Sequence, residues 1–180
     1  GQIPIHTSYR AGGGLAMFFG DYTDSPTTPL FPFGHGLSYT QFEYTDLEVQ
    51  ATTTAAPVTV TMTVRNTGQR PGDEVLQLYV RDDVASVARP DQMLIGFARI
   101  ALTPGQARRV RFTVHPSRLA FYDPQMRFVT EPGGFSFAVG ASSADIRLRQ
   151  TIALGGAVVA YRQREIIATT VTIEEYSPVA

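Results

Sequence analysis

The chain has 180 residues, 43% hydrophobic and 17% charged, with a formal net charge of −1 and no cysteine. That composition excludes intrinsic disorder, and the near-neutral charge excludes a general binder of nucleic acid or acidic membrane. Without cysteine there are no disulfides, thiolate metal sites or cysteine nucleophiles, and the length suits one domain with extensions.

Residues 1–28 carry one short strand-like run, Gln2 to Thr7, then Ala11-Gly12-Gly13-Gly14. No Gly-Lys-Ser/Thr follows the glycines, so they read as a flexible loop and not a phosphate cradle. The opening Gly1-Gln2-Ile3-Pro4-Ile5 reads as a cut from a longer protein, with no signal peptide or apolar run of membrane length. Leu15-Ala16-Met17-Phe18-Phe19 is apolar and breaks at Gly20-Asp21-Tyr22. Pro29 to Tyr39 follows, where two prolines and two glycines among aromatics rule out a helix or a central strand. The segment reads as a shaped loop whose Leu30, Phe31, Phe33, Leu37 and Tyr39 need a neighbour to bury them.

Period-two alternation begins at Phe42. Phe42, Tyr44, Leu47 and Val49 form a first strand whose spacing requires a slip or bulge. Val58, Val60, Met62 and Val64 alternate with threonines, and Asn66-Thr67-Gly68 and Pro71-Gly72-Asp73 supply turn chemistry. Leu76, Leu78 and Val80 mark a third strand, from Glu74 to Arg81. The polar connection 82–92 leads to a fourth, Met93 to Leu102. Thr103-Pro104-Gly105-Gln106 has the residues of a type II turn, and Val110, Phe112 and Val114 face inward after it. Leu119 to Val129 reads as a short strand broken at Asp123-Pro124, and Glu131-Pro132-Gly133-Gly134 as a second type II turn. Phe135, Phe137 and Val139, then Ile146, Leu148, Ile152 and Leu154, complete the inward rows. Seven or eight strands at this spacing, with no helical periodicity, predict an all-β antiparallel sandwich. Ala157 to Arg162 and Glu165 to Ile173 are a further strand-like pair, either a hairpin added to the sandwich or a segment packing elsewhere.

Catalytic patterns are lacking. The acidic residues Asp73, Asp82, Asp83, Asp91, Asp123 and Glu131 fall in expected turns and read as structural, not as the facing carboxylate pair of a glycosidase. His6, His35 and His115 are too far apart for a local metal motif, with a solvated or capping role for His6 and His115, and no serine lies in a Gly-x-Ser-x-Gly elbow. No cofactor is implied. Phe18, Phe19 and Tyr22, and later Phe121 and Tyr122, have rings that can stack on sugars; packing into the interdomain or sandwich core is the expected role of Phe121 and Tyr122. All fifteen basic residues are Arg and Asn66 is the only Asn, a bias expected of a GC-rich bacterial genome.

A collinear series of motifs resembles the C-terminal region of bacterial glycoside hydrolase family 3 enzymes, chiefly β-glucosidases. It comprises Gly1 to Ile5, Gly20-Asp21-Tyr22, Pro29 to Tyr39, Asn66-Thr67-Gly68, Gln77 to Asp82 and Ala85 to Pro90. Leu94-Ile95-Gly96-Phe97, Leu119 to Asp123, Glu131-Pro132-Gly133 and Val139 to Leu148 follow in order. The resemblance implies the tail of an α/β sandwich domain at 1–28, an interdomain junction at 29–39, and a fibronectin type III-like (immunoglobulin-like) sandwich at 40–154, leaving 155–180 as a C-terminal strand extension. The family's Ser-Asp-Trp-type nucleophile motif has no match, and the chain has no Trp, so no catalytic residue is carried over.

The expected role is a non-catalytic module that stabilises the catalytic domains of its parent enzyme and shapes the rim of the cleft. Its partners would be those domains and a β-glucoside or oligosaccharide substrate, with neither nucleic acid nor membrane. The junction residues expected from this are Phe31, Pro32, Phe33, Gly34, His35, Gly36, Tyr39 and Arg89. Phe19, Asp21 and Tyr22 are the expected sugar contacts at the rim, and His35 the expected hydrogen-bonding group of the junction. The alternative is a carbohydrate-binding or adhesion module, which requires a flat, exposed aromatic row on one sheet.

Overall fold

The computed structural model describes residues 29–161 and 167–176. Its strands, in chain order, are β1 (Phe42–Gln50), β2 (Val58–Asn66), β3 (Gly72–Asp82), β4 (Met93–Leu102), β5 (Ala107–Val114), β6 (Phe121–Tyr122), β7 (Phe128–Thr130), β8 (Gly133–Gly140), β9 (Ile146–Leu154), β10 (Val159–Tyr161) and β11 (Thr170–Glu175). One sheet has the order β1-β2-β5-β11 and the other β4-β3-β8-β9, with a small third sheet β10-β7-β6. Every pairing of these strands is antiparallel.

The two large sheets close over a core that the alternation had marked. Val58, Val60, Met62 and Val64 of β2 and Val110, Phe112 and Val114 of β5 meet Leu76, Leu78 and Val80 of β3 and Phe135, Phe137 and Val139 of β8, all fully or almost fully buried. β-Branched and aromatic side chains fit this pleated, enclosed surface. The slip expected in β1 is present: its pairing with β2 shifts between Thr45 and Glu48, where Asp46 adopts φ +55°. The turn before β5 also forms as expected, with Gly105 at φ +77° and the Gln106 amide donating to the Thr103 carbonyl at 3.0 Å, the conformation a type II turn reserves for glycine.

Side chains from β9 join the two sheets along one side. The Arg147 guanidinium donates to the Phe42 carbonyl at 3.0 Å, and Gln150 Oε1 accepts from the Val49 amide at 3.0 Å. Both bonds use backbone groups on the outer edge of β1, which would otherwise invite strand addition. On the opposite side Thr169 Oγ1 donates to the Ile95 carbonyl of β4.

Four expectations need correction. Glu131–Gly134 is not a type II turn: neither glycine has positive φ, and both belong to β8, where the Gly134 carbonyl accepts from the Asp83 amide. Asp73 and Asp82 lie inside β3 instead of in turns, because β3 runs from Gly72 to Asp82. Tyr122, 46% exposed, does not pack into the sandwich core, while Phe121 is buried, since the two residues of β6 point to opposite faces. β10 and β11 do not form a hairpin with each other; β10 pairs with β7 and β11 with β5, so they extend different sheets.

Candidate docking surface

The segment before β1 lies against the outer face of the β4-β3-β8-β9 sheet. Gln77 and Tyr79 point outward from β3, yet both are buried. Gln77 Nε2 donates to the Gly34 carbonyl at 3.2 Å and to the Ala141 carbonyl at 2.6 Å, and its Oε1 accepts from the Tyr79 hydroxyl at 2.5 Å. Beside it the Ser143 amide donates to the Phe33 carbonyl at 2.9 Å, while the Ser143 carbonyl accepts from Gln92 Nε2 at 2.8 Å. The loop is thus held by its backbone.

Gly34 is required twice over. Its φ is +78°, and a Cβ there would stand 2.3 Å from the Gln77 amide oxygen. Gly34→Ala is expected to cost about 1–2 kcal/mol, from the backbone strain and the lost Gln77 bond, read as a lower denaturant midpoint. An unchanged midpoint would show that the loop is not held in this way.

Backbone anchoring leaves the side chains free to face outward. Leu30 is 79%, Phe31 62%, Phe33 66%, Leu37 93% and Tyr39 92% exposed. Scattered exposed hydrophobics are ordinary, but a contiguous row is the mark of an interaction surface. Phe97, also 65% exposed, adjoins it as the cross-strand partner of Gln77. His35 donates its backbone amide to the Pro32 carbonyl at 3.0 Å and sets its ring 5.2 Å from that of Phe31. Among the described residues its side chain makes no hydrogen bond. Gly36 has open space around it.

A cleft of about 660 Å³ runs beneath the loop, between Gly34–Gln41 and the β3 and β9 strands. Its floor holds a buried polar group. The Tyr44 hydroxyl donates to Glu74 at 2.6 Å, Arg147 reaches Glu74 at 3.3 Å and Asp145 at 2.9 Å, and the guanidinium lies 4.5 Å over the Tyr44 ring. Burial pushes the Glu74 carboxyl above its usual range, against the lowering effect of the Tyr44 hydrogen bond and the Arg147 charge. Burial and then Glu74 itself push the Tyr44 hydroxyl up, so it remains a donor.

Arg89 stands elsewhere. Its guanidinium lies 4.6 Å over the Phe121 ring and 3.9 Å from Asp82, close to the Met93 sulfur. Burial raises the Asp82 carboxyl, and the Arg89 charge opposes this. Gln92 and Ser143 connect this region to the loop at Phe33. His115 caps the short 3₁₀ turn Pro116–Arg118, its Nδ1 accepting from the Ser117 amide. Phe19, Asp21, Tyr22 and His6 lie outside the described residues. Sequence reasoning missed Gln77, Ser143 and Gln92, whose polar side chain or backbone groups hold the loop; a Gln inside an apolar strand was the available signal.

Fold and surface together define an antiparallel sandwich of the fibronectin type III-like class, and residues 74–143 match the model of that domain. The β-xylosidase of Formosa agariphila is 46% identical over 145 residues, 79% of this chain and 20% of that protein. Thermostable β-glucosidase B of Acetivibrio thermocellus is 38% identical over 148 residues, 81% of this chain and 20% of that protein. Among solved structures, β-glucosidase 3B of Thermotoga neapolitana in complex with α-D-glucose superposes with a TM-score of 0.71 at 33% identity, over 76% of this chain and 19% of that one. The chain belongs to the fibronectin type III-like region of glycoside hydrolase family 3 proteins. It spans about a fifth of the length of the relatives it matches.

Proposed function

We propose that this chain serves as a non-catalytic module of a β-glucosidase, docked onto the enzyme's catalytic domains through residues 29–39. The observation that carries this reading is the row of exposed Leu30, Phe31, Phe33, Leu37 and Tyr39 on a backbone pinned by Gln77 and Ser143. A rigidly presented apolar row loses little conformational entropy on docking. On this reading 1–28 belongs to the preceding α/β domain, 40–154 is the sandwich, and 155–180 supplies edge strands. Phe31, Pro32, Phe33, Gly34, His35, Gly36 and Tyr39 form the junction. Arg89 supports it from behind, through the loop that carries Gln92. Phe19, Asp21 and Tyr22 are proposed to meet sugar at the rim of the cleft, and the parent to release terminal β-linked glucose with retention.

Phe33→Asp and Leu37→Asp test the docking. Each is expected to leave the melting of the isolated 180-residue chain unchanged, because both side chains face solvent there. Each should weaken docking in the parent enzyme by about 2 kcal/mol, the burial lost per large apolar side chain, seen as earlier thermal inactivation. Unchanged inactivation of both variants would sink the docking reading, and turnover of an aryl β-glucoside by the purified chain would sink the non-catalytic one. The polysaccharide-platform alternative fares worse. Tyr122, Phe128 and Tyr161 are cross-strand neighbours, but their planes are inclined by 46° and 60°, so they form no flat row.

A further inference from the structure

A second cavity lies away from the docking face, where the start of β4, the Pro116–Arg118 turn and the β6–β7 hairpin converge. Its volume is about 300 Å³, at the lower end of the range for small-molecule sites and enough for roughly one sugar ring. Aromatic and cationic groups stand in its lining beside Met93, Leu94 and Ile95. Tyr122 and Phe128 supply aromatic surface, their ring centroids 5.2 Å apart, with Tyr122 half exposed. Arg89 and Arg118 supply positive charge, and among the described residues no carboxylate is in the lining.

The two arginines are not equivalent. Arg89 already faces Asp82 and the Phe121 ring. Arg118 has no carboxylate or ring counterpart among the described residues, and its Nε, like that of Arg89, is buried with no hydrogen-bond partner there. A guanidinium in the lining with no carboxylate partner carries a free-energy cost that an acceptor entering the cavity reduces. A charged acceptor removes more of it than a neutral hydroxyl, because charge-assisted bonds to guanidinium are stronger and can be bidentate.

The walls of the site are themselves well braced. Asp123, buried at the hairpin, accepts from the Gln125 amide at 3.0 Å and from the Arg127 amide and Nε at 2.8 Å each. These bonds hold the turn between Tyr122 and Phe128, so both rings are set in place before any ligand arrives. Burial raises the Asp123 carboxyl, but the Arg127 and Gln125 hydrogen bonds outweigh it and hold the group below its usual value.

We propose that this cavity binds a carboxylate-bearing pyranose, a uronosyl residue, with its ring face on Tyr122 and its carboxylate on Arg118. The site shares Arg89 with the support of the docking loop, but Arg118 and Tyr122 take no part in docking, so its failure would leave the docking reading untouched. Calorimetry and ligand-observed NMR on the full 180-residue chain test it, with methyl β-D-glucuronide as probe and methyl β-D-glucoside and acetate as comparisons. The glucuronide is expected to bind in the millimolar range or tighter, roughly tenfold more strongly than either comparison ligand.

Arg118→Gln should erase the preference for the glucuronide over the glucoside, while Tyr122→Ala should weaken both sugars several-fold and leave acetate unchanged. Arg99→Gln, an exposed residue paired with Asp73, is the charge control and should change nothing. If Arg118→Gln lowers the melting temperature, resonances of Tyr122 and Phe128 in the wild-type chain decide the matter, because bound glucuronide should shift them. Equal affinity for glucuronide and glucoside, shifts confined to other residues, or no binding at about 10 mM would overturn the proposal.

Discussion

Asn66→Asp is expected to destabilise this domain by about 3–5 kcal/mol, the cost of an uncompensated charge in a buried site. Asn66 is completely buried, and each of its side-chain bonds depends on which end carries hydrogens. Nδ2 donates to the Arg70 carbonyl at 2.8 Å and to the Leu102 carbonyl at 3.0 Å. Oδ1 accepts from the Gly68 amide at 3.0 Å and the Thr40 hydroxyl at 2.7 Å. Its backbone amide and carbonyl bond to the Gln106 carbonyl and the Gly105 amide. One residue thereby ties the end of the docking segment to the approach to β3, the end of β4 and the turn before β5. An aspartate would place an anionic oxygen against two carbonyls. Asn66→Ala should cost about 2–3 kcal/mol, since it orphans the same partners without adding charge. Equilibrium urea unfolding measures both. A loss below about 1 kcal/mol for the aspartate variant would refute this account.

Glu74→Ala is expected to cost about 2–3 kcal/mol, because it leaves the buried Tyr44 hydroxyl without its acceptor and removes one of Arg147's two carboxylates. Glu74→Gln should cost less, since the amide oxygen still accepts from Tyr44, and its pH dependence is the sharper test. Glu74 has its carboxyl raised above 4.5 in the folded state, so the native protein holds that proton more tightly than the unfolded chain does. The stabilisation is complete below the unfolded value and is lost as pH rises through the folded one. Glutamine has no such titration. The stability of Glu74→Gln relative to wild type should therefore climb between pH 4.5 and neutrality. Unfolding curves in that window check it; a constant difference would show that Glu74 titrates normally, and a falling one that its carboxyl is lowered on folding. Asp123 acts in the opposite sense: its lowered carboxyl supplies stability that disappears as pH falls.

Alternation of apolar and polar residues along the chain was enough to specify the sandwich. Each inward row from Val58 to Val139 packs where period two placed it, because a strand has only two faces and one must leave water. Local chemistry was equally sufficient for the Pro104–Gly105 turn and the slip in β1, whose causes lie within a few residues. The exposed row from Leu30 to Tyr39 was legible too, since prolines and glycines among aromatics forbid regular structure and leave those rings without partners inside the chain.

Everything that depends on residues distant in sequence was decided only when the sheets came together. Gln77 reads as an outward, solvated position in β3, yet it is buried because a segment 43 residues earlier lies over it. Asn66 reads as a turn residue, and its bonds to Gly68 and Arg70 are local; the other two exist because Thr40 and Leu102 meet it in space. Glu74 and Arg147 are 73 residues apart and pair only where β1, β3 and β9 converge. Glu131-Pro132-Gly133-Gly134 has every residue of a type II turn, but pairing with β9 draws both glycines into β8. Hydrogen bonding across the sheets outweighed the local preference, because ladder bonds spread over a whole strand exceed what one turn contributes. The same reason hid the Arg118 cavity, whose walls come from three separate connections and share no motif.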